Sequence, residues 1–195
     1  MVDPVRHAKA LMKLDARIQT LRAQMVKLLK KAGPRKVSDY VFTGTDGKPL
    51  KLSQAFGKDR DLIVVHNMGR RCPYCTLWAD NFNGVVAHLE ARAAFLVTSP
   101  DDPKVQRAFR KERGWTIRMA STRGTTFAHD MGYEPQPGQH WPGFTTFRRE
   151  KGGPIQRVAS GMFGPGDDYC SVFHFFDLLA DGIGTWEPQF RYRNQ

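Results

Sequence analysis

The chain has 195 residues, of which 41% are hydrophobic and 25% are charged, a composition typical of one globular core. No run of 18 apolar residues and no apolar leader segment is present, so we expect neither a membrane partner nor secretion. Three cysteines are too few for a secreted disulfide framework, and the expected location is cytoplasmic.

The formal net charge of +11 is concentrated at one end of the chain. Residues 1–36 contain ten Lys and Arg against two Asp, and they supply eight of the eleven net charges. The remainder contains no basic run interleaved with aromatic residues, so we expect no nucleic-acid partner. A basic N-terminal helix is the only candidate for such binding, and a solvated helix face is its simpler interpretation.

The first segment is rich in good helix formers and predicts a helix from Val5 to Lys31, which Gly33 and Pro34 end. Its apolar residues alternate steps of three and four along a narrow seam: Leu11, Leu14, Ile18, Leu21, Met25 and Leu28. This seam packs either on its own domain or on a second copy, and we predict a homodimer with the aromatic tail 186–192 as a further contact. The chain is accordingly divided into a basic helix, 1–36, and a domain, 37–195.

Two short strands and a buried strand follow. Residues 40–42 and 50–52 are strand candidates around a turn at 45–47, and Ser53 is expected to cap a turn of helix. The unbroken apolar run 62–65 predicts a strand that is buried on both faces.

Directly after this strand comes Cys72-Pro73-Tyr74-Cys75, followed by apolar residues at helical spacing as far as Leu89. The dithiol therefore lies at a helix N-terminus, where unpaired N–H groups and the helix dipole stabilise a thiolate. Pro73 suits the first turn of that helix. Arg70 and Arg71 are expected to stabilise the thiolate further.

Cys72 is predicted to be the nucleophile because it lies nearest the helix start and the solvent, and Cys75 is predicted to resolve the mixed disulfide. A zinc half-site and two inert core thiols are the alternatives. No second Cys-x-x-Cys is present to complete a zinc site, so no metal and no cofactor are expected.

The rest of the chain continues the alternation of strands and helices. The dithiol helix is expected to end near Ala91, and a strand at 94–98 and a helix from Asp101 or Asp102 to Gly114 follow. Residues 116–120 are a weaker strand.

A loop at 132–143 leads into a hairpin of strands 144–149 and 155–159, with the Trp141–Pro142 bond as a candidate cis peptide. A last helix at 169–180 precedes an irregular tail that ends at Arg193. Cys170, near the start of that helix, is either a second redox thiol or a small buried residue.

This order of elements resembles the thioredoxin fold, so the expected class is α/β with a mixed central sheet flanked by helices. Cys72-Pro73-Tyr74-Cys75 is similar to the glutaredoxin tetrapeptide, and residues 141–147 resemble the cis-proline strand of thioredoxins. Residues 40–53 resemble the N-terminal β extension of peroxiredoxins. Residues 66–68 and 72–84 most resemble a bacterial family of uncharacterised, predicted dithiol–disulfide oxidoreductases with a CPxC site.

The resemblance implies that Trp141 and Pro142 bind substrate beside the dithiol, together with Pro73 and Tyr74. His66 takes the place of a buried acid that assists proton transfer in thioredoxins; a structural histidine is the alternative.

The expected activity is thiol–disulfide exchange on a disulfide-containing protein or small thiol, with electrons from a thioredoxin- or glutathione-type donor. A peroxiredoxin-like peroxidase is the second reading, although Gly69 replaces the Thr or Ser usual three residues before its cysteine. A non-catalytic basic binding module on the same scaffold is the third.

Overall fold

The structure is a computed structural model that describes residues 3–31 and 33–192. Eight strands form its sheet: β1 (Arg35–Lys36), β2 (Val41–Gly44), β3 (Pro49–Lys51), β4 (Asp61–His66), β5 (Ala94–Ser99), β6 (Met119–Ser121), β7 (Gly143–Arg149) and β8 (Ile155–Met162). They lie in the order β1-β8-β7-β4-β5-β6-β2-β3. The predicted end of the tail, Arg193, lies outside the described residues. So do residues 1 and 195, at which the predicted basic helix begins and the predicted domain ends.

Helices connect and cover the strands: α1 (Pro4–Lys30), α2 (Leu52–Ala55), α3 (Pro73–Glu90), α4 (Pro103–Arg113), α5 (Phe127–Met131) and α6 (Val172–Phe176). The mixed sheet with its helices is the predicted thioredoxin-like α/β class. Within the described residues, no helix is long and apolar enough to cross a membrane.

β4 lies at the centre of the sheet, as its apolar sequence predicted. It pairs in parallel with β5 and antiparallel with β7. Leu62 and Val64 pack in one core with Leu96, whereas Val65 packs with Phe95 in a second core. Because successive side chains of a strand point to opposite faces, these two cores lie on the two sides of the sheet.

The N-terminal β extension is confirmed. β2 and β3 form a hairpin across the 45–47 turn, and β2 adds antiparallel to β6 at the sheet edge. The predicted ends of α4 are also confirmed, because the Asp102 side chain accepts the Lys104 N–H at 2.8 Å and Gly114 ends the helix with a left-handed backbone.

Two expectations about helix ends are wrong. Ser53 does not cap α2; it lies inside the helix, and its N–H and hydroxyl both donate to Asp39. The last helix is only the five residues of α6, and Tyr169 and Cys170 precede it. The Asp167 carboxylate holds this stretch in a turn by accepting the N–H groups of Gly164 and Tyr169.

The sequence did not predict β1 or α5, and it predicted a longer strand than the structure has at β6. β1 pairs with β8, and α5 packs Phe127 and Met131 into the core. The weak strand expected at 116–120 is confined to β6, 119–121. Each is too short for a period of apolar residues to show in the sequence.

α1 is as long as predicted, but it contributes no buried residue to the domain. It is tied to the domain by the Arg22 guanidinium, which forms two hydrogen bonds to the Asp168 carboxylate, at 2.9 and 2.5 Å. The apolar seam is exposed along its whole length.

Candidate active site

The loop between β4 and α3 shapes the site. Asn67 braces both ends of this loop: its side chain accepts the Gly69 N–H at 2.8 Å and donates to the Cys75 carbonyl at 3.2 Å. Gly69 has φ +105°, and a Cβ there would lie 2.9 Å from an Asp101 carboxylate oxygen. The same carboxylate accepts the Arg70 N–H at 2.8 Å. Glycine is therefore required where the loop turns toward Cys72.

The two cysteines occupy different environments at the start of α3. Cys72 is the N-cap residue and is half-buried, and its Sγ accepts the Cys75 N–H at 3.1 Å. Cys75 is buried, and its Sγ accepts the Met68 N–H at 3.3 Å. Both thiols are reduced. The accessible sulfur is thus the one at the helix start.

Hydrogen bonding separates the pKa values of the two thiols. The Cys75 side chain and the backbone N–H groups of Cys75 and Tyr74 lower the pKa of Cys72 to about 6, against the opposing effect of burial. The hydrogen bond to Cys72 and burial raise the pKa of Cys75. A thiol with this lowered pKa is largely thiolate at neutral pH, so the negative charge of the pair resides on Cys72.

Arg70 and Arg71 lie beside the dithiol with exposed side chains. The causes of the lowered pKa of Cys72 are the hydrogen bonds above rather than these guanidinium groups. Their support of the thiolate stays a prediction.

A small cleft of about 20 Å³ opens beside Cys75 and contains two of the predicted substrate-binding residues, Tyr74 and Pro142. Trp78 and Phe163 complete its apolar wall. Pro73 is the first residue of α3. The expected neighbours Tyr74 and Pro142 are therefore brought together from two parts of the chain, and Phe163 is added from a third.

Trp141 lies next to this cleft rather than in it. It lines a second cleft with His66 and Asn67, and 44% of its surface is exposed. Its role in substrate binding stays a prediction.

The expected cis peptide at Trp141–Pro142 is wrong: the described residues contain no cis peptide bond. The trans form is the lower in energy for an X–Pro bond. In this form the Trp141 N–H donates to Tyr133 at 2.9 Å, and the Pro142 carbonyl accepts the Phe163 N–H at 3.0 Å. Residues on two other segments thus hydrogen-bond to the loop in its trans form.

His66 has the contacts of a packed structural residue. Its ring stacks on Tyr133 at 3.8 Å between centroids, and Nε2 lies 2.9 Å from the Thr145 hydroxyl. Burial, together with the positive charge of Arg157, lowers the pKa of His66 to about 3, so the imidazole is neutral at physiological pH. Proton transfer through His66 stays a prediction.

Cys170 is fully buried beside Trp78 and Phe173, and burial raises the pKa of its thiol. Of the two interpretations, a second redox thiol or a small buried residue, the structure has Cys170 as a small buried residue. Among the described residues, no group of three or more His, Cys, Asp or Glu is placed to hold a metal ion.

Sequence reasoning missed Asn67, Met68 and Phe163 as members of the site. Asn67 and Met68 lie in the short connection after the buried strand, where backbone geometry decides the contacts. Phe163 follows β8, and only the sheet pairing brings it next to α3. Asn67 and Met68 entered the sequence analysis only through the family resemblance, and no local pattern in the sequence indicates Phe163.

Known proteins resemble the chain over about two thirds of its length. Chloroplastic peroxiredoxin Q from Populus jackii is 27% identical over 127 residues, which cover 65% of this chain and 59% of that relative, less than two thirds of it. Among solved structures, the peroxidoxin BcpB of Mycobacterium tuberculosis superposes with a TM-score of 0.53 at 22% identity, over 66% of this chain and 84% of that one. A peroxiredoxin-like protein from Aquifex aeolicus gives 0.51 at 16% identity, over 66% and 74%.

These similarities establish the thioredoxin-like fold of the peroxiredoxin type. A model of a family described as bacterial protein of unknown function, DUF899, matches residues 6–193, nearly the whole chain. The chain therefore belongs to the DUF899 family of bacterial proteins.

Proposed function

We propose that the protein is a thiol redox enzyme, a thiol–disulfide oxidoreductase that cycles Cys72 and Cys75 between dithiol and disulfide. The observation that carries this proposal is the asymmetry of the pair: a half-buried sulfur with a lowered pKa beside a buried one with a raised pKa. A nucleophile and a resolving thiol need this division of exposure and acidity.

The reaction begins when the Cys72 thiolate attacks one sulfur of a substrate disulfide. The substrate S–S bond breaks, a mixed disulfide forms at Cys72, and the other substrate sulfur leaves as a thiolate. Cys75 then loses its proton and attacks the Cys72 sulfur, which releases the second substrate thiol. Two electrons have passed to the substrate, and a Cys72–Cys75 disulfide remains.

The neighbouring residues have corresponding roles in the proposal. Once Cys72 is covalently bound, its negative charge no longer raises the pKa of Cys75, which makes the second thiol easier to ionise. Tyr74, Trp141 and Pro142 offer apolar surface to the substrate, and Arg70 and Arg71 lie exposed beside it. A thioredoxin- or glutathione-type thiol returns the pair to the dithiol state, in a reducing compartment such as the cytoplasm.

A peroxidase is the second candidate, and the peroxiredoxin names of the relatives favour it. In that reaction Cys72 attacks a peroxide oxygen, the O–O bond breaks, and an alcohol or water leaves. Cys75 then attacks the sulfur of the sulfenic acid, and water leaves as the same disulfide forms. Both candidates use the same two cysteines and the same reductant.

Turnover on an insulin-type protein disulfide and on hydrogen peroxide, each with glutathione and its reductase as donor and each measured against a reaction without the protein, separates the two. We expect the disulfide to be reduced and Cys72→Ser to be inactive. Cys170→Ala is the matched control, because it removes a thiol outside the site, and it should retain activity. Turnover on peroxide alone would refute the preferred reaction, and full activity of Cys72→Ser would refute both.

A further inference from the structure

α1 carries a surface that the fold of one chain does not use. Its six seam residues are exposed by 45–66%: Leu11, Leu14, Ile18, Leu21, Met25 and Leu28. α1 has no buried residue. The seam follows the heptad spacing of a coiled coil over nearly three heptads, whereas a helix that only packs on a domain shows a wider apolar face.

We propose that this seam binds a second copy of the chain, with the two α1 helices packed antiparallel. The seam runs from Leu11 to Leu28, about 26 Å along α1. A single coiled-coil face of that length forms an interface at the lower end of the specific range, so we expect association at micromolar concentrations. Contiguous apolar surface of this extent is unusual on a monomer.

Seam geometry makes the antiparallel pairing apolar at every layer. With the two-fold axis between Ile18 and Leu21, these residues face each other across the axis. Leu14 then faces Met25, and Leu11 faces Leu28 of the second copy. No polar side chain enters the seam, so no layer is left with an unpaired polar group.

The residues flanking the seam decide between the two orientations. A parallel pair would bring Arg17 of one helix against Arg22 of the other, twice, because g and e positions of successive heptads face each other. The antiparallel pair instead brings Asp15 against Arg22, twice, and Arg17 against Gln24. Because Asp168 accepts from Nε and Nη2 of Arg22, the guanidinium can reach Asp15 of the second copy through Nη1. Asp15 is the only acidic residue within α1. Like charges at the flanks disfavour a pairing, and opposite charges favour it.

The domain leaves α1 free for this contact while holding its direction. The ion pair of Arg22 with Asp168 fixes one edge of the helix to the domain. Part of the aromatic tail predicted as a second contact packs on its own domain, since Trp186 lies 4.7 Å from Phe176 and Phe190 lies 6.3 Å from Phe109 between ring centroids. The proposed interface is therefore argued from α1, and a contact by the tail stays a prediction.

Sedimentation equilibrium of the full chain, kept reduced so that Cys72 cannot cross-link copies, tests the proposal. We expect a reversible dimer at tens of micromolar. Ile18→Glu places a charge in the seam and should weaken the dimer about 100-fold, a loss of about 2.7 kcal/mol. Ala16→Glu adds the same charge on the solvent face of α1 and should leave the dissociation constant unchanged.

Asp15→Arg tests the orientation. It replaces two attractive contacts by two repulsive ones in the antiparallel pair and should weaken it about tenfold. In a parallel pair Asp15 faces Ala10, so an unchanged dissociation constant would overturn the antiparallel arrangement. A monomer at all concentrations would overturn the dimer itself. So would equal effects of Ile18→Glu and Ala16→Glu, which are the result expected if α1 instead binds anionic vesicles or nucleic acid through its charge.

Discussion

The lowered pKa of Cys72 has a specific source that a single substitution can remove. The hydrogen bond from the Cys75 side chain is the largest cause, ahead of the two backbone N–H groups. A hydrogen bond to a charged group contributes about 1.5–3 kcal/mol, and one pKa unit corresponds to 1.36 kcal/mol, so Cys75→Ala should raise the pKa of Cys72 from about 6 by about one to two units.

The rate of alkylation of Cys72 by iodoacetamide as a function of pH, read by peptide mass spectrometry, measures this pKa. Cys75→Ser is the matched control, because its hydroxyl keeps a donor at the same position and should raise the pKa less than Cys75→Ala does. In the native reduced protein, Cys72 should alkylate well below pH 8 while Cys75 reacts slowly until the protein unfolds. The alkylation rate at about pH 6.5 depends on the fraction of each thiol that is ionised. Equal rates for both thiols at that pH would refute the assignment of the nucleophile.

Three further outcomes follow from buried contacts. Burial lowers the pKa of His66 from 6.5 to about 3, so below pH 6.5 the unfolded chain binds a proton that the folded protein excludes. The contribution of His66 to the free energy of unfolding is therefore complete above pH 6.5 and should fall by about 1.4 kcal/mol per pH unit from there to about pH 3, as measured by urea unfolding. This loss should be absent from His66→Gln. Gly143→Ala should lower the free energy of unfolding by about 1–3 kcal/mol, since a Cβ there would overlap the Gly161 carbonyl oxygen and the Tyr133 ring. Gly84→Ala, exposed within α3 with nothing within 4 Å of the new Cβ, should instead raise it by about 0.5–1 kcal/mol, and the same sign for both variants would contradict the packing described.

The sequence predicted elements that carry their own periodic or capping signal. These signals lie within the element or at its ends: the apolar run of β4, the heptads of α1, and the cap residues Asp102 and Gly114 of α4. α5 and α6 have five residues each, too few for a helical period, and their ends are set by tertiary contacts such as those of Asp167.

The dithiol could be located from the sequence because a strand, a turn and a helix start are adjacent in the chain. The resemblance to thioredoxins also indicated Pro142, but nothing in the sequence indicated Phe163, which reaches Cys75 only because β8 pairs with β7 and β7 pairs with β4. The loop at Pro142 likewise forms hydrogen bonds to Tyr133 and Phe163, which lie on separate segments and which the local sequence does not indicate.

In the proposed mechanism Cys72 attacks the substrate and Cys75 resolves the mixed disulfide. Mass spectrometry after reaction of the reduced protein with one equivalent of a protein disulfide distinguishes these two roles. We predict a Cys72–Cys75 disulfide in the native chain and a stable mixed disulfide on Cys72 in Cys75→Ser, because nothing then remains to resolve it. Substrate reduction that leaves both thiols free, or a mixed disulfide that forms on Cys75 in Cys72→Ser, would contradict the mechanism.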